Sequence, residues 1–252
     1  MRKETWDSFW GELLLLKCHA SDPARWSVRR ERAARLFELL NLHSGVRVLD
    51  LGCGDGILDI CLAELGAQVT AVDRIAPVIA AAQREPGGET VGFRVADLRD
   101  LSFGSGSFDL ILALELIGLM SMEDDRRLLS RALEWLTPDG HIIVECPGEP
   151  STAEGQWQHE LDDGVVCGRW TYDEATRMLH MMPAFEAETG EAIELCDPYD
   201  PTRASTGVVR YMYHPDELSD LLISVGYSVD VLEEGLRPGK PLIIGSPAVP
   251  NP

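Results

Sequence analysis

The chain has 252 residues, of which 45% are hydrophobic and 25% charged, proportions that fit one globular domain or one domain with a large insertion. Its 42 acidic residues against 22 basic ones give a formal net charge of −20, which repels a phosphate backbone and argues against a nucleic-acid partner. No apolar run reaches the ~18 residues a membrane span needs, and the run Leu13-Leu14-Leu15-Leu16 between Glu12 and Lys17 is too short for a signal-peptide core, so a cytoplasmic protein without a membrane partner is expected.

Six scattered cysteines form no C-x-x-C pair, so neither a metal site nor a disulfide framework is expected. Trp6, Phe9, Trp10, Leu13, Leu14 and Leu16 recur at steps of three and four, which predicts a helix within residues 1–20. Ser21-Asp22-Pro23 is a helix-start signal, and Trp26, Ala33, Leu36, Phe37 and Leu40 mark a second helix. Its five arginines, Arg25, Arg29, Arg30, Arg32 and Arg35, read as a solvated face. Together residues 1–44 are expected to form a helical cap.

Residues 46–51 are an apolar run that stops at three alternating glycines, Gly52, Gly54 and Gly56, and a helical pattern over 57–65 follows at once. This is strand, tight turn, helix, with the free N–H groups of the helix start turned toward any ligand over the turn. Strands are then expected over 67–72, ending at Asp73, over 90–95, before Asp97, over 108–114 and over 141–145. Helices over 75–84 and 123–136 alternate with them, and Pro138-Asp139-Gly140 is read as a turn. Such alternation predicts a parallel sheet with right-handed crossovers.

The alternation breaks over 148–212. Strand-like segments at 165–172, 177–181, 191–196 and 208–213 predict an inserted antiparallel layer, a lid or substrate region over the cofactor. Its Trp157, Trp170, Tyr172, Met178, Met181, Met182, Tyr211 and Tyr213 either line an apolar pocket or form the insertion's own core. A helix over 215–225 and strands over 228–232 and 242–244 complete the core, 45–147 with 213–246. The expected fold is α/β: a seven-stranded, doubly wound, mostly parallel sheet with N-terminal helices and the inserted β layer.

The glycine spacing discriminates between ligands. In the dinucleotide fingerprint G-x-G-x-x-G a third glycine would fall where Ile57 stands. Asp50 precedes the turn and Asp55 lies inside it, which disfavours a pyrophosphate and favours a ligand with positive charge. Asp73, ending the second strand of the motif, suits the two hydroxyls of a ribose.

Residues 48–56, Val-Leu-Asp-Leu-Gly-Cys-Gly-Asp-Gly, resemble the first motif of the class I S-adenosylmethionine-dependent methyltransferases. Val69-Thr70-Ala71-Val72-Asp73, Ala96-Asp97-Leu98, residues 108–115 and Leu136-Thr137-Pro138-Asp139-Gly140-His141 resemble the later motifs, in order. The resemblance implies S-adenosylmethionine as cofactor. It implies that Asp50 and the Gly52 region hold the methionine end and that Asp73 takes the ribose hydroxyls. Asp97 would face the adenine amino group with backbone at Leu98, and Leu114 would offer a carbonyl near the ammonium. Gly54, Gly56 and Arg74 complete the implied cofactor-binding set. The acceptor is expected to be a small molecule.

Positioning can supply about 7–11 kcal/mol of barrier lowering for an in-line displacement, so no obligatory catalytic residue is expected. Glu115 and Glu145, at strand ends, and His214 are the candidate bases, with His159 a further one. After Glu115 the chain reads Leu116-Ile117-Gly118-Leu119, without the histidine of one common subfamily, which argues against a quinone-type substrate. A non-catalytic cofactor-binding protein, a nicotinamide-dependent oxidoreductase and a protein methyltransferase are the alternatives.

Overall fold

The computed structural model describes residues 2–5, 24–146, 150–161, 164–187, 192–196 and 208–248. The chain divides into two compact units, a larger one of residues 23–117, 121–148 and 213–252 and a smaller one of residues 1–22, 118–120 and 149–212. The helix expected around Trp6, Phe9 and Trp10 and the start signal at Ser21-Asp22-Pro23 lie outside the described residues, as does the tail after 248. The described part of the N-terminal segment is a strand, β1 (Arg2–Thr5), rather than a helix. The helical spacing begins only at Trp6, and residues 2–5 find their backbone partners in a neighbouring strand.

The larger unit opens with helix α1 (Arg25–Leu39), then β2 (Arg47–Leu51), α2 (Ile57–Glu64), β3 (Gln68–Asp73), α3 (Ala76–Ala82), β4 (Gly92–Val95), β5 (Phe108–Ala113), α4 (Met122–Trp135) and β6 (Leu136–Glu145). After the smaller unit it resumes with α5 (Pro215–Ser224), which precedes the last two strands, β12 (Tyr227–Arg237) and β13 (Lys240–Pro247). The seven strands lie in the order β12-β13-β6-β5-β2-β3-β4, and only β13 runs against the rest. Val48, Leu49, Leu51, Leu110, Ile111, Leu112, Ile142 and Ile143 are wholly buried, as central strands covered on both faces require. The order reverses at β2, whose neighbours are β3 and β5, so the carboxyl ends of these strands form the switch point where doubly wound sheets take ligands.

Two local features depart from the sequence reading. Pro138-Asp139-Gly140 is not a separate turn but an irregularity within β6: Leu136 pairs with Phe108 and His141 with Leu110, and the residues between them bulge out. At the same end of the strands Arg47 clamps Asp109, donating Nε to Oδ2 at 3.1 Å and Nη2 to Oδ1 at 2.8 Å, which ties the start of β2 to β5. β12 runs five residues beyond the expected Leu232, through Glu233 and Glu234; it is an edge strand, so these charges stand in solvent and mask the strand pattern.

In the smaller unit β7 (Glu154–Leu161), β8 (Gly164–Asp173) and β9 (Met178–Ala187) form an antiparallel meander. β10 (Ala192–Cys196) and β11 (Val208–Tyr211) share the free edge of β9, and β1 runs parallel to β10. β7 escapes the sequence reading because it is polar. Its pairing rests on two aromatic–glycine contacts: Trp157 faces Gly168, Trp170 faces Gly155, and a Cβ on either glycine would lie within 2.6 Å of the indole opposite. Trp157 and Trp170 thus belong to the small sheet's own packing. Tyr213 belongs to the larger unit: it is buried there, accepts from Cys146 Sγ through its carbonyl at 3.1 Å, and sets its hydroxyl 3.4 Å from Asp125 Oδ2.

Candidate functional site

The site is built on the β2–α2 turn. Gly52, Gly54 and Gly56 all have positive φ (77°, 57° and 70°), a chain path that a side chain strains. At Gly54 a Cβ would meet nothing within 4 Å, so open space lies over the middle of the turn. At Gly56 a Cβ would lie 2.7 Å from Ala82 Cβ and from the Phe93 ring, so this glycine admits the packing of α3 and β4 beneath the turn.

The N–H groups of the turn are not free, contrary to the expectation from a helix start. Gly52 and Cys53 both donate to the Val72 carbonyl, at 2.8 and 3.0 Å. Gly54 donates to Asp73 Oδ2 at 3.1 Å, Gly56 to the Cys53 carbonyl at 3.2 Å and Ile57 to Asp55 Oδ1 at 3.2 Å. Two carboxylates therefore occupy the Gly54 and Ile57 donors, at the place where a pyrophosphate would sit. The chemistry left at this turn is acceptor chemistry.

Four aspartates surround it. Asp73 also accepts from Ile75 N at 2.9 Å, and burial raises its pKa despite these backbone donors. Asp55 lies 3.7 Å from Arg29 of α1. Asp50 is 4% exposed at the carboxyl half of β2. Desolvation, with Asp73 and Asp55 adding like charge, pushes its pKa up to about 7, while a hydrogen bond with Asp59 lowers it. Asp59, in α2, is 0% exposed, and its carboxyl is held far toward the protonated form by burial and by Asp50. The Cys53 thiol is pushed up by burial and by the same carboxylates, so it is not a nucleophile.

Arg74 stands between two of the expected cofactor residues, its charge acting on Asp73 and on Asp97 alike. Asp97 is engaged by Arg99, which donates Nε to Oδ1 at 3.0 Å and Nη2 to Oδ2 at 2.6 Å; this hydrogen-bonded pair lowers its pKa. Leu98 is buried, and its carbonyl accepts from Arg131 Nη2 at 2.8 Å. Leu114 follows β5 directly.

The candidate bases separate into two places. Glu115 and Glu145 come together through Arg237, which lies 2.6 Å from Glu115 Oε1 and donates to both oxygens of Glu145. Glu145 is 2% exposed and closes β6, while the Glu115 side chain is 54% exposed and follows β5 with φ 54°, an unusual conformation for a residue with a Cβ. Glu145 is thus buried with both oxygens taken by Arg237, whereas Glu115 meets the same guanidinium at one oxygen and stays half exposed. His214 caps α5: its N–H donates to Glu217 Oε2 at 3.1 Å and its Nδ1 lies 3.7 Å from Asp216 Oδ2. His159 lies in β7, where its side chain is outside the described residues.

The sequence reading missed two participants, Asp59 and Arg237, and misread the arginines of α1. Asp59 had a signal, a lone charge within the apolar stretch Ile57-Leu58-Asp59-Ile60-Cys61-Leu62. Arg237 had none, lying 92 residues from Glu145. The arginines of α1 are not simply solvated: Arg25 reaches Glu85 at 2.7 Å, Arg29 approaches Asp55, and the electrostatic neighbours of Arg32 include Glu145, Glu115 and Arg237.

The sheet order and an acid-rich glycine turn at its switch point define a Rossmann-like protein that takes a nucleoside cofactor rather than a diphosphate. A family model described as a methyltransferase domain matches residues 48–140. The ubiquinone biosynthesis O-methyltransferase of Nitrobacter winogradskyi is 34% identical over 191 residues, 73% of this chain and 68% of that protein. The protein of the same name from a Bradyrhizobium species is 34% identical over 161 residues, 62% of this chain and 59% of that protein. The chain spans between half and three-fifths of the first curated relatives it matches. The CcbJ methyltransferase of Streptomyces caelestis superposes with a TM-score of 0.72 at 19% identity, covering 96% of this chain and 99% of that one. The sugar N-methyltransferase KedS8 of a Streptoalloteichus species gives 0.68 at 15% identity, covering 99% and 95%. The chain belongs to the class I S-adenosylmethionine-dependent methyltransferases, and S-adenosylmethionine is its cofactor.

Proposed function

We propose that the protein transfers a methyl group from S-adenosylmethionine to a small-molecule acceptor by in-line displacement. The observation that carries this reading is the turn at residues 52–57, where the N–H groups of Gly52, Cys53, Gly54, Gly56 and Ile57 are taken by Val72, Asp73, Cys53 and Asp55. With those five donors used, the turn offers carboxylates to a cationic nucleoside. Asp50 would accept the ammonium, Asp73 the ribose hydroxyls, and the space over Gly54 would admit the cofactor close to the main chain. Arg74, Asp97, Leu98 and Leu114 would complete the cofactor contacts. When bound, the cofactor supplies an electrophilic methyl group and a neutral thioether leaving group.

The chain's own contribution is positioning and, for an acceptor that arrives protonated, proton removal by Glu115. Glu115 is the half-exposed carboxylate at the end of β5, and Arg237 holds it in place. The acceptor class is supported by the names of relatives, a ubiquinone biosynthesis O-methyltransferase and a sugar N-methyltransferase; the lack of a histidine after Glu115 sets this chain apart from the quinone type.

Calorimetry with S-adenosylmethionine, its demethylated product and NADH tests the cofactor reading. Binding of the first two and not the third is expected; NADH binding alone would overturn it. Labelled methyl donor offered with phenolic, amino-sugar and carboxylate acceptors then tests transfer. Binding without transfer to any acceptor would favour a non-catalytic role.

A further inference from the structure

Asp97 and the backbone at Leu98, assigned above to the adenine, lie in a segment that is neither strand nor long helix. It is a single 3₁₀ turn, Leu98–Asp100, closed by the hydrogen bond from Asp100 N–H to the Asp97 carbonyl at 3.0 Å. So short a turn holds little geometry by itself. Its first end is tied to β3, where Ala96 N–H donates to the Asp73 carbonyl at 3.0 Å. Its acid is held by Arg99. Its carbonyls are held from α4. Arg131 donates Nη2 to the Leu98 carbonyl at 2.8 Å, and Nη1 to the carbonyls of Arg99 at 2.8 Å and Leu101 at 3.0 Å. One planar guanidinium thus fixes three peptide groups of the turn. Its footing is rigid: it lies 5.7 Å from the Trp135 ring one helical turn on, and α4 buries Leu128, Leu129, Ala132 and Trp135.

We infer that Arg131 is a positioning residue for base recognition: by holding the carbonyls of Leu98, Arg99 and Leu101 it keeps Asp97 and the Leu98 backbone where the edge of an adenine meets them, and so sets the preference for adenine over other purines. This rests on the cofactor reading above. An adenine presents an amino donor beside a ring-nitrogen acceptor; a hypoxanthine presents an oxygen acceptor beside an N–H donor. A turn fixed for the first sets acceptor against acceptor and donor against donor with the second, and leaves those groups unpaired. A turn free to shift would meet either base about equally and would also have to be ordered on binding. Lysine does not replace this arginine, because a single ammonium is a point donor and does not span three carbonyls.

The test is calorimetry with S-adenosylhomocysteine, S-inosylhomocysteine and the 2′-deoxy form of S-adenosylhomocysteine, alongside thermal unfolding. The wild type is expected to bind the adenosyl compound at least about thirtyfold tighter than the inosyl one. In Arg131→Leu the adenosyl compound should lose about tenfold while the inosyl one stays within about threefold, so the base preference largely disappears. Arg131→Lys should fall between the two proteins. The ratio of the adenosyl compound to its 2′-deoxy form reports the ribose contact of Asp73 and should stay constant throughout. An unchanged base preference in the folded leucine variant, or loss of both ratios together as from general loosening, would overturn the inference. So would a wild type that binds adenosyl and inosyl compounds equally, although the cofactor reading would survive. Should the leucine variant fail to fold, the lysine variant decides, an unchanged base preference overturning the inference. No binding of any of the three by the folded wild type would overturn the cofactor reading as well.

Discussion

Arg237 Nη2 lies 2.6 Å from Glu115 Oε1, and the same guanidinium holds Glu145 at both oxygens. The contact joins the ends of β5, β6 and β12 at the carboxyl edge of the larger sheet. It makes the two glutamates unequal: one is spent as the buried anchor of an arginine, and the other stands half in solvent. Removing the arginine strands a buried charge. Arg237→Leu is therefore expected to lower unfolding stability by about 3 kcal/mol, and the double variant with Glu145→Met to regain most of it. Urea unfolding of the three proteins measures both.

Glu115→Gln keeps the side chain's size and its reach to Arg237 but cannot take a proton. Affinity for S-adenosylhomocysteine should stay unchanged, while turnover of a hydroxyl or ammonium acceptor falls by roughly 10²–10⁴. Calorimetry and initial rates on the same preparation separate the two effects. An unchanged rate would leave the reaction to positioning alone.

Gly54 and Gly56 share a backbone conformation and differ in what surrounds them. Gly56→Ala drives a methyl group into Ala82 and Phe93, and a loss of several degrees in melting temperature is expected. Gly54→Ala meets open space in the protein, so its cost is the strain of positive φ, about 1–2 kcal/mol. Its larger effect should be on the cofactor, whose approach the new methyl group blocks. Thermal unfolding with and without S-adenosylhomocysteine should show the first variant unstable in both states and the second poorly rescued by ligand.

Asp73 joins the turn to the end of β3 through Gly54 N and Ile75 N. Asp73→Ala removes both acceptors and the proposed ribose contact. A loss of about 1–3 kcal/mol in stability is expected, with at least tenfold weaker binding of S-adenosylhomocysteine. Asp73→Asn keeps an acceptor oxygen and should lose less stability but comparable affinity. Chemical unfolding and calorimetry report the two columns separately.

The acids of this fold respond to pH with opposite signs. Arg47 holds Asp109 below its ordinary pKa through its side-chain hydrogen bonds, so that stabilisation is present above the unfolded carboxylate's pKa and is lost as pH falls through the folded value. Asp50 and Asp59 are raised by burial, so their contribution is fullest below the unfolded pKa and is lost as pH rises through the folded values. Asp109→Asn should therefore destabilise most near neutral pH and least below pH 4. Asp59→Asn should gain on the wild type as pH rises from 4 to 8. Melting curves across that range check both slopes.

Much of this protein is legible one segment at a time. The apolar run into Gly52, the acid that ends β3 and the alternation of helix and strand identify the sheet and its turn because they depend on residues adjacent in the chain. The polar β7 is not legible, since its stability comes from Trp157 and Trp170 lying over glycines of the strand opposite. The same holds for the charged end of β12, whose edge position lets Glu233 and Glu234 face water.

The sequence by itself determined that the first turn is lined with acids and glycines, which set steric room and charge, and hence that it suits a cationic nucleoside. Only the tertiary structure decided how those acids are used. Asp73 and Asp55 fold back to take the Gly54 and Ile57 N–H groups, and Arg237 crosses from the far edge strand to bind Glu145 and Glu115. The physical reason is that a side chain's charge state is set by the groups around it in space, and strand order, not chain distance, chooses them.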